Sequence, residues 1–247
     1  AESAGLACFG QLGPLLRLLQ VAADHQGQQR RHRADQEHGP PGADRAEAEA
    51  EHRRILSIRE KVLGPEHPDT LRTRNNIALT LDRQGKAAEA AAEYQQVIDL
   101  ENKVLGPEHP DTLKSRSSFA YALDHQGKYS EAELNLRDVI RLEERILGPE
   151  HPDTLVSRLR LAKVLMSEDK YSEAETDYRA LIPLEQKALG PEHPDTLSAR
   201  SGLANALQAQ HKLTEAAAEY REVIALEERV LGPQHPNTPL NRNSLAN

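Results

Sequence analysis

One nine-residue segment of this 247-residue sequence occurs four times without change and at a constant interval. The segment Leu-Gly-Pro-Glu-His-Pro-Asp-Thr-Leu begins at Leu63, Leu105, Leu147 and Leu189, and an altered copy, LGPQHPNTP, begins at Leu231. Successive copies start 42 residues apart. A constant interval of this length predicts a stack of one supersecondary unit, in which function depends on an extended surface more than on any single residue.

The composition favours a helical core and argues against several classes of protein. Hydrophobic residues make up 38% of the chain and aromatic residues only 3%, with no Trp, so Ala, Leu, Ile and Val must form the core. Small side chains suit closely packed helices better than a β-sandwich. The net charge of −8 argues against nucleic-acid binding, because phosphate contacts need an excess of Lys and Arg.

Two further features concern the cellular compartment. Cys8 is the only cysteine, which excludes a disulfide within the chain and predicts a reducing, cytoplasmic location. No apolar run approaches the roughly 20 residues that a membrane-spanning helix needs. The stretch Leu12–Ala23 is interrupted by Pro14 and Arg17 and lacks a preceding basic run, so we expect neither a membrane span nor a signal peptide there.

The repeat unit that begins at Pro110 predicts two helices. Pro110 and Asp111 suit the first turn of a helix, where proline is tolerated and an acidic group complements the helix dipole. Apolar residues follow at helical spacing as far as Asp124, and Gly127 supplies the left-handed backbone that ends the helix. A second apolar face continues to Ile146 before a Gly-Pro pair ends it. We therefore predict one antiparallel helix pair per unit.

Alanine recurs at one position of each helix, which predicts that the helices pack closely. Alanine at a contact lets two helices approach to the short end of the ~8–10 Å range. Larger side chains, including three tyrosines and a leucine at one shared position, fill the remaining gaps. The predicted core positions are Ala48, Ala78, Ala90, Ala120, Ala132, Ala162, Ala174, Ala204, Ala216, Ala246, Tyr94, Leu136, Tyr178, Tyr220, Val97, Val139, Leu181 and Val223.

The residues at the shared positions resemble a known repeat. Asn76–Ala78, Gly85–Lys86, Glu89–Ala90 and Tyr94, with the second copy Gly127–Ala132, resemble the tetratricopeptide repeat. The 42-residue period and the linker LGPEHPDTL are similar to those of the kinesin light chain type, which also occurs in bacterial signalling proteins. The resemblance implies an all-α protein, a right-handed α-solenoid of antiparallel helix pairs known as the tetratricopeptide superhelix.

The resemblance covers the sequence from Ala46 to the C-terminus. Before it, residues 1–45 are an irregular segment with a candidate helix at 13–26 and an inserted loop or disordered stretch at 28–43. The expected array consists of the second helix of a partial repeat at 46–62, full repeats at about 69–104, 111–146, 153–188 and 195–230, and a terminal half-repeat at 237–247.

Three residues depart from the repeat pattern. Asp169 and His211 stand where the other units have the helix-closing glycine, and Leu213 replaces an aromatic residue, so we expect these turns to close less tightly. At the C-terminal end, no polar capping helix covers Leu245 and Ala246. We therefore expect either that the sequence is a fragment or that the array associates through its ends, for example as a homo-oligomer.

The Glu-His-Pro-Asp tetrad of each linker contains residue types that bind metals or catalyse proton transfer. It begins at Glu66, Glu108, Glu150 and Glu192. Equivalent residues of adjacent units should lie about 10 Å apart, which is too far to share one ion whose nitrogen ligands lie at about 2.0–2.1 Å. Capping and linker geometry explain the tetrad better than a metal site does, and we predict no cofactor.

Sequence signatures of catalysis do not occur in the chain. It has no nucleophile elbow, phosphate-binding glycine loop, CxxC pair or HExxH helix. The Glu-Glu-Arg runs at Glu143 and Glu227 are interpreted as a solvated helix face with local ion pairs, each of which contributes little. We therefore predict that the protein is not an enzyme.

The resemblance places the candidate binding residues on the first helices, which line the concave groove in this fold. Four cations there make the surface more basic than the chain as a whole, and amides and hydroxyls can bond a peptide backbone. This surface favours an extended, acidic segment of a partner protein. The expected exposed groove positions are Arg72, Asn75, Asn76, Leu79, Asp82, Lys114, Ser117, Ser118, Tyr121, His125, Leu159, Arg160, Lys163, Ser201, Asn205 and Gln208.

Two recognition patterns of such repeats match the sequence only in part. Kinesin light chain grooves often carry Asn-Asn-Leu-Ala, and only Asn75–Ala78 comes close to it. The carboxylate clamp of chaperone-binding members is partly matched by Asn76 and Lys114, but Ser118 stands where arginine is required. Neither specificity is therefore predicted.

These observations together predict a noncatalytic scaffold that binds a partner peptide or protein in its concave groove. Affinity would come from many modest contacts on a preformed surface. The alternative is the sensor or regulatory arm of a larger signalling ATPase of the NB-ARC or STAND type. A nucleotide-binding domain encoded upstream would indicate that alternative.

Overall fold

The structure is a computed structural model that describes residues 43–230 and 241–242. It divides into two compact units, Ala1–Ala48 and Glu49–Asn247. In the first unit, the described residues belong to a helix that begins at Ala43. The expected helix at 13–26 lies outside the described residues, as does the expected loop at 28–43 apart from Ala43. The expected half-repeat at 237–247 is described only at 241–242, where it is helical.

Nine α-helices and no strands occur within the described residues. This all-α arrangement agrees with the fold class predicted from the sequence, and α1 starts three residues before the expected position 46. None of these helices is both long and apolar enough to cross a membrane. The helices are α1 (Ala43–Val62), α2 (Pro68–Arg83), α3 (Ala87–Val104), α4 (Pro110–His125), α5 (Tyr129–Ile146), α6 (Pro152–Ser167), α7 (Tyr171–Ala188), α8 (Pro194–Ala209) and α9 (Leu213–Val230).

Each complete linker forms a rigid joint that starts the next helix pair. In the first linker, Nδ1 of His67 accepts a hydrogen bond from the N–H of Asp69 at 3.2 Å, and Oγ1 of Thr70 donates to the carbonyl of Gly64 at 2.9 Å. Both bonds recur at the same distances in the other three complete linkers. Histidine thus satisfies one of the N–H groups left free at a helix start, and proline at the first position lacks that group altogether.

The turn within each pair needs a left-handed backbone, whether or not glycine is present. Gly127 has a φ of 76°, and Asp169 and His211 have φ values of 59° and 60°. The N–H of Lys170 donates to the carbonyl of Leu165 at 2.9 Å, as in the turns that contain glycine. These two turns therefore close with the same hydrogen bond, contrary to the looser closure expected. A non-glycine residue in this conformation costs about 1–2 kcal/mol.

The first and second helices of the pairs form two layers. The first helices touch one another directly, α2 with α4, α4 with α6 and α6 with α8, whereas contacts between successive second helices are sparse within the described part of the unit. Helices that follow one another along the chain also pack together, from the pair α2 and α3 to the pair α8 and α9. Because the first helices lie closer together, they form the concave side of the array.

The predicted core positions between Ala78 and Val223 are buried. The shared alanines from Ala78 to Ala216 expose 2% of their surface or less, and the shared positions that begin at Tyr94 and Val97 are also buried. Ala48 is half-buried, and Ala246 lies outside the described residues. This confirms the core that the repeated small residues predict, since helices can pack closely only where such residues meet.

Candidate functional site

The helices α2, α4 and α6 form a groove of about 420 Å³ on the concave side. Apolar and aromatic residues, among them Leu71, Tyr94 and Leu105, form part of its lining, and the carboxyl groups of Asp69 and Asp111 lie along it. The structure brings together in this groove seven of the binding residues predicted from the sequence: Arg72, Asn75, Asn76, Leu79, Lys114, Ser118 and Arg160.

Arg160 is the groove cation with the least compensated charge. Its Nη1 donates to Oγ of Ser117 at 2.8 Å and to Oγ of Ser118 at 3.3 Å, and the guanidinium carbon lies 5.7 Å from the centre of the Tyr121 ring, within cation–π range. Among the described residues no carboxylate forms an ion pair with it, and burial lowers its pKa. Glu143 and Asp82 act on it electrostatically without forming an ion pair. A half-buried cation whose hydrogen bonds go to neutral groups favours the binding of an anion.

The other two groove cations are exposed and already have carboxylate neighbours. Nη2 of Arg72 lies 2.7 Å from Oδ1 of Asp69, and Nζ of Lys114 lies 3.6 Å from Oδ1 of Asp153. Exposed pairs of this kind contribute little and exchange partners readily. Arg72 and Lys114 can therefore turn towards a bound anion at a small free-energy cost.

Tyr121 and His125 extend the site from Arg160 to α2. The two rings have centroids 4.3 Å apart and are tilted by 58°. Nδ1 of His125 lies 2.8 Å from Oδ1 of Asp82. The contacts that run from Arg160 through these rings to Asp82 connect three first helices, so the surface is held in one arrangement before any ligand binds.

Three residues expected to be exposed in the groove are buried instead. Asp82 is covered where it contacts His125. Ser117 accepts hydrogen bonds from Ser157, at 2.9 Å, and from Arg160. Leu159 belongs to the main hydrophobic cluster. These side chains therefore support the groove from below, and the sequence-based expectation of exposure was wrong for them.

Asn75 and Asn76 lie side by side but have different surroundings. Nδ2 of Asn75 donates to Oγ of Ser115 at 2.8 Å and lies 3.4 Å from Oε1 of Glu101, so this amide holds α2, α3 and α4 together. Asn76 is exposed and lines the groove. Of the two predicted amides, Asn76 is the one placed to hydrogen-bond a peptide backbone.

A row of buried glutamates was not predicted. The Glu-Glu-Arg runs were interpreted as solvated, but Glu143 exposes only 1% of its surface and Glu227 likewise 1%. It is the second glutamate of each run that forms a surface ion pair, as Glu144 does with Arg158. The signal in the sequence is a small polar residue 14 positions after most of these glutamates, on the next first helix. The row consists of Glu101, Glu143, Glu185 and Glu227.

The first two glutamates of the row have hydroxyl partners. Ser115 hydrogen-bonds to Glu101, and Ser157 hydrogen-bonds to Glu143. Burial nevertheless raises the pKa of both carboxyls to about 7, and Asp111 adds to the shift at Glu101. Both groups are therefore partly protonated near neutral pH.

The last two glutamates of the row differ most in their hydrogen-bond partners. Ala199 stands at the position of the hydroxyl residues, and neither carboxyl oxygen of Glu185 has a hydrogen-bond partner among the described residues. Burial raises the pKa of Glu185 to about 8, with Asp195 raising it further and Lys163 opposing the shift. Glu227, in contrast, has both oxygens 3.0 Å from Nδ2 of Asn241.

The remaining predicted residues lie beyond the groove described above. Lys163 is half-buried, and burial lowers its pKa. The hydroxyl of Tyr220 donates to Oδ1 of Asn205 and lies 3.0 Å from Oε1 of Gln208. Ser201 is half-buried and donates to the carbonyl of Leu197 at 3.0 Å. Asn205 and Gln208 thus help to hold Tyr220, a core tyrosine, in place.

The glutamate of each linker tetrad forms an ion pair with the last turn of the second helix that follows the linker. Glu66 pairs with Lys103, and Oε1 of Glu108 lies 2.6 Å from Nη2 of Arg145. The pattern repeats in the next two linkers. Within the described residues no group of three or more His, Cys, Asp or Glu side chains is arranged to hold a metal ion.

The comparisons with known proteins agree with the fold. A model of the tetratricopeptide repeat matches residues 43–101, 83–145 and 153–226, which together make up more than half of the chain. The chain therefore belongs to the tetratricopeptide repeat family. No match was found among curated proteins.

Solved structures of kinesin light chain-like repeats resemble this one. A protein of Podospora anserina with nearly identical repeats of this kind is 28% identical in one of its variants, with a TM-score of 0.65 over 85% of this chain and 95% of that one. A second structure of a Podospora anserina protein with such repeats has 27% sequence identity and a TM-score of 0.63, over 85% of this chain and 96% of that one. BtubC of P. vanneervenii is 15% identical, with a TM-score of 0.64 over 83% and 80%, and shows the fold alone.

The family defines the general class of protein. Tetratricopeptide repeats are generally scaffolds for protein–protein interaction, and the kinesin light chain-like fold is typically noncatalytic. The predicted resemblance is thereby confirmed.

Proposed function

We propose that this protein captures an extended, acidic segment of a partner protein in the groove lined by α2, α4 and α6. The observation that carries the proposal is the guanidinium of Arg160, which lines the groove, is held by two serine hydroxyls and an aromatic ring, and forms no ion pair with a carboxylate of the described residues. An acidic side chain would supply the missing charge, and a charge-assisted hydrogen bond is stronger than a neutral one.

The rest of the groove suits an extended chain. Arg72 and Lys114 lie on successive first helices, so that they can contact acidic residues at separate points along a peptide. Asn76 can hydrogen-bond the peptide backbone, and Leu79 offers an apolar contact. Because these side chains project from rigid helices, little conformational entropy is lost by the protein when it binds.

The proposal predicts that an acidic peptide binds and that Arg160 supplies much of its affinity. The probe is a rhodamine-labelled decapeptide of alternating glutamate and serine, and the measurement is fluorescence anisotropy. We expect Arg160→Gln to raise Kd by about ten- to a hundredfold, since a hydrogen bond to a charged group contributes about 1.5–3 kcal/mol.

Arg158→Gln is the matched control, because Arg158 lies on the same helix but pairs with Glu144 and does not line the groove. It should leave Kd unchanged. Equal loss of affinity in the two variants would show a general effect of net charge and contradict a specific groove site. Absence of binding to the wild-type protein would contradict the proposal as a whole.

Two further predictions from the sequence accompany this proposal. A cytoplasmic location rests on the single cysteine. The regulatory arm of a signalling ATPase remains the alternative, and it predicts a nucleotide-binding domain in the same polypeptide. Neither prediction alters the groove experiment, which uses the chain as it stands.

A further inference from the structure

Two buried carboxyl groups are associated with the groove, one in its lining and one through its interaction with Arg160. Glu101 is part of the groove lining, together with Arg160. Glu143 occupies the same position one unit later and interacts electrostatically with Arg160. Each of them has one carboxyl oxygen, Oε2, that is buried without a hydrogen-bond partner within the described residues. The groove lining and its immediate support therefore include two carboxyl groups that are negative when ionised and neutral when protonated.

Other charged groups surround these two carboxyls. The α4 residue Asp111 raises the pKa of Glu101, and the α6 residue Asp153 raises that of Glu143, while Arg160 lowers the latter. The charged side chains and the histidine of α2, α4 and α6 that line the groove, or that interact with Glu143 or with these lining groups, include Asp69, Arg72, Asp82, Asp111, Lys114, His125, Asp153 and Arg160.

We infer that the capture of an acidic segment in this groove is coupled to proton uptake by Glu101 and Glu143, so that binding strengthens as the pH falls through neutrality. The inference rests on the proposed function and adds a regulation of the same site. It assigns a role to the two glutamates that neither the family nor the general scaffold function requires.

Three effects of a bound anion act in the same direction. Its negative charge disfavours the ionised form of a nearby carboxyl, and it excludes water from the groove, which increases the desolvation of that carboxyl. It also pairs with Arg160, and so removes the cation that helps to keep Glu143 ionised. Each effect raises the pKa of the carboxyls further, and protons must then be taken up on binding.

The titration range makes this coupling effective near neutral pH. Burial places the pKa of both carboxyls at about 7 in the free protein. An acidic ligand that raised one of them by one further unit would bind about tenfold more tightly at low pH than at high pH. The glutamates of the ligand itself remain ionised over this range.

The experiment measures Kd for the rhodamine-labelled decapeptide at about pH 6 and about pH 8.5, at constant ionic strength, with the dye chosen because it does not titrate there. We expect Kd of the wild-type protein to be about tenfold lower at the lower pH. In the variant Glu101→Gln/Glu143→Gln, the amides keep the size and hydrogen bonds of the carboxyls, and Kd should become nearly independent of pH. Circular dichroism at both pH values checks that each variant is folded.

Two single variants separate the alternatives. Glu144→Gln changes the neighbouring carboxylate, which pairs with Arg158, and should keep the full pH dependence. His125→Gln removes the histidine that contacts Asp82 beside the site. If the pH dependence persisted in the double glutamine variant and vanished in His125→Gln, the inference would be overturned.

The wild-type protein alone also gives a decisive result. Equal Kd values at the two pH values would overturn the proton coupling while leaving the binding function intact. No binding at either pH would overturn both the proposed function and the coupling that rests on it.

Discussion

The joints α3–α4 and α7–α8 are built from equivalent positions of the repeat, yet they treat a buried glutamate differently. At the first joint, Glu101 is bonded by Ser115 and lies within reach of the amide of Asn75. At the second, Glu185 has no hydrogen-bond partner within the described residues. Two differences, Ala199 in place of Ser115 and Leu159 in place of Asn75, leave Glu185 without the partners that one oxygen of Glu101 has. A buried polar group without a partner costs free energy.

The α7–α8 region differs from the first joint in two further ways. Pro183 lies inside α7, where it removes one helical hydrogen bond. Gly202 of α8 lies directly beneath the ring of Tyr178, so that a Cβ atom added there would come 2.3 Å from Cζ. A nearly constant sequence pattern can thus preserve the fold while the stability of individual joints differs.

The largest expected effect is the pH dependence that Glu185 confers on stability. The pKa of Glu185 rises from its ordinary value of 4.5 to about 8 in the folded protein. The folded state therefore binds the proton more tightly than the unfolded state does. Its stability contribution is complete below about pH 4.5 and is lost as the pH rises towards and through 8. Between about pH 6 and pH 8.5 this amounts to about 2–3 kcal/mol as an upper value.

Urea unfolding of Glu185→Gln at these two pH values tests the prediction against Glu101→Gln. Removing Glu185 should remove more of the pH dependence than removing Glu101, because the pKa of Glu101 is raised less, to about 7. The opposite order would break the comparison between the joints.

The second effect concerns the space under Tyr178. Gly202→Ala should destabilise the protein by about 1–3 kcal/mol, since the added methyl group overpacks the contact with the ring. This outcome opposes helix propensity, which favours alanine over glycine by about 1 kcal/mol.

Tyr178→Leu is the natural compensating change, because Leu136 fills the same position two helices earlier. The double variant Tyr178→Leu/Gly202→Ala should cost less than the sum of the two single changes, as measured by the midpoints of urea unfolding. Additive effects would show that the two residues are not in the contact described here.

The last prediction, with the smallest change in stability, gives Glu185 at the α7–α8 joint a hydrogen-bond partner. Ala199→Ser places a hydroxyl where Ser115 and Ser157 stand at the other joints, and should stabilise the protein by about 0.5–1.5 kcal/mol. The reverse change at the α5–α6 joint, Ser157→Ala, should destabilise the protein by a similar amount. If Ala199→Ser had no effect on the urea midpoint while Ser157→Ala did, the two joints would not be equivalent as proposed.

The sequence predicted the helix pairs, the core and part of the groove, for identifiable reasons. Repeated alanines such as Ala120 and Ala162 can be identified because helix packing demands a small residue at a fixed interval. The groove cations Arg72 and Arg160 were found because the family's pattern assigns those positions to the concave side. What a side chain does there depends on its neighbours, and for Ser117 and Asp82 those neighbours bury it.

The buried glutamates could not be recognised from local pattern alone. Glu143 and Glu144 are adjacent and chemically alike, and only their angular positions on α5 separate a buried carboxyl from an ion-paired one. The closure of the turns at Asp169 and His211 was misjudged for a related reason. Tertiary packing can hold a non-glycine residue at positive φ when the helices on both sides of the turn are fixed by their own contacts.

The ion pairs of the linkers have a consequence for how such a chain can change its length. Glu66 bonds to Lys103, and Glu108 to Arg145, so each pair joins a linker to the helix that precedes the next linker. Duplication or deletion of a 42-residue block of coding sequence would therefore leave every such pair with a partner of the right type. In genetic terms, the array can gain or lose a unit in one recombination event, and the groove then lengthens or shortens by one set of contacts.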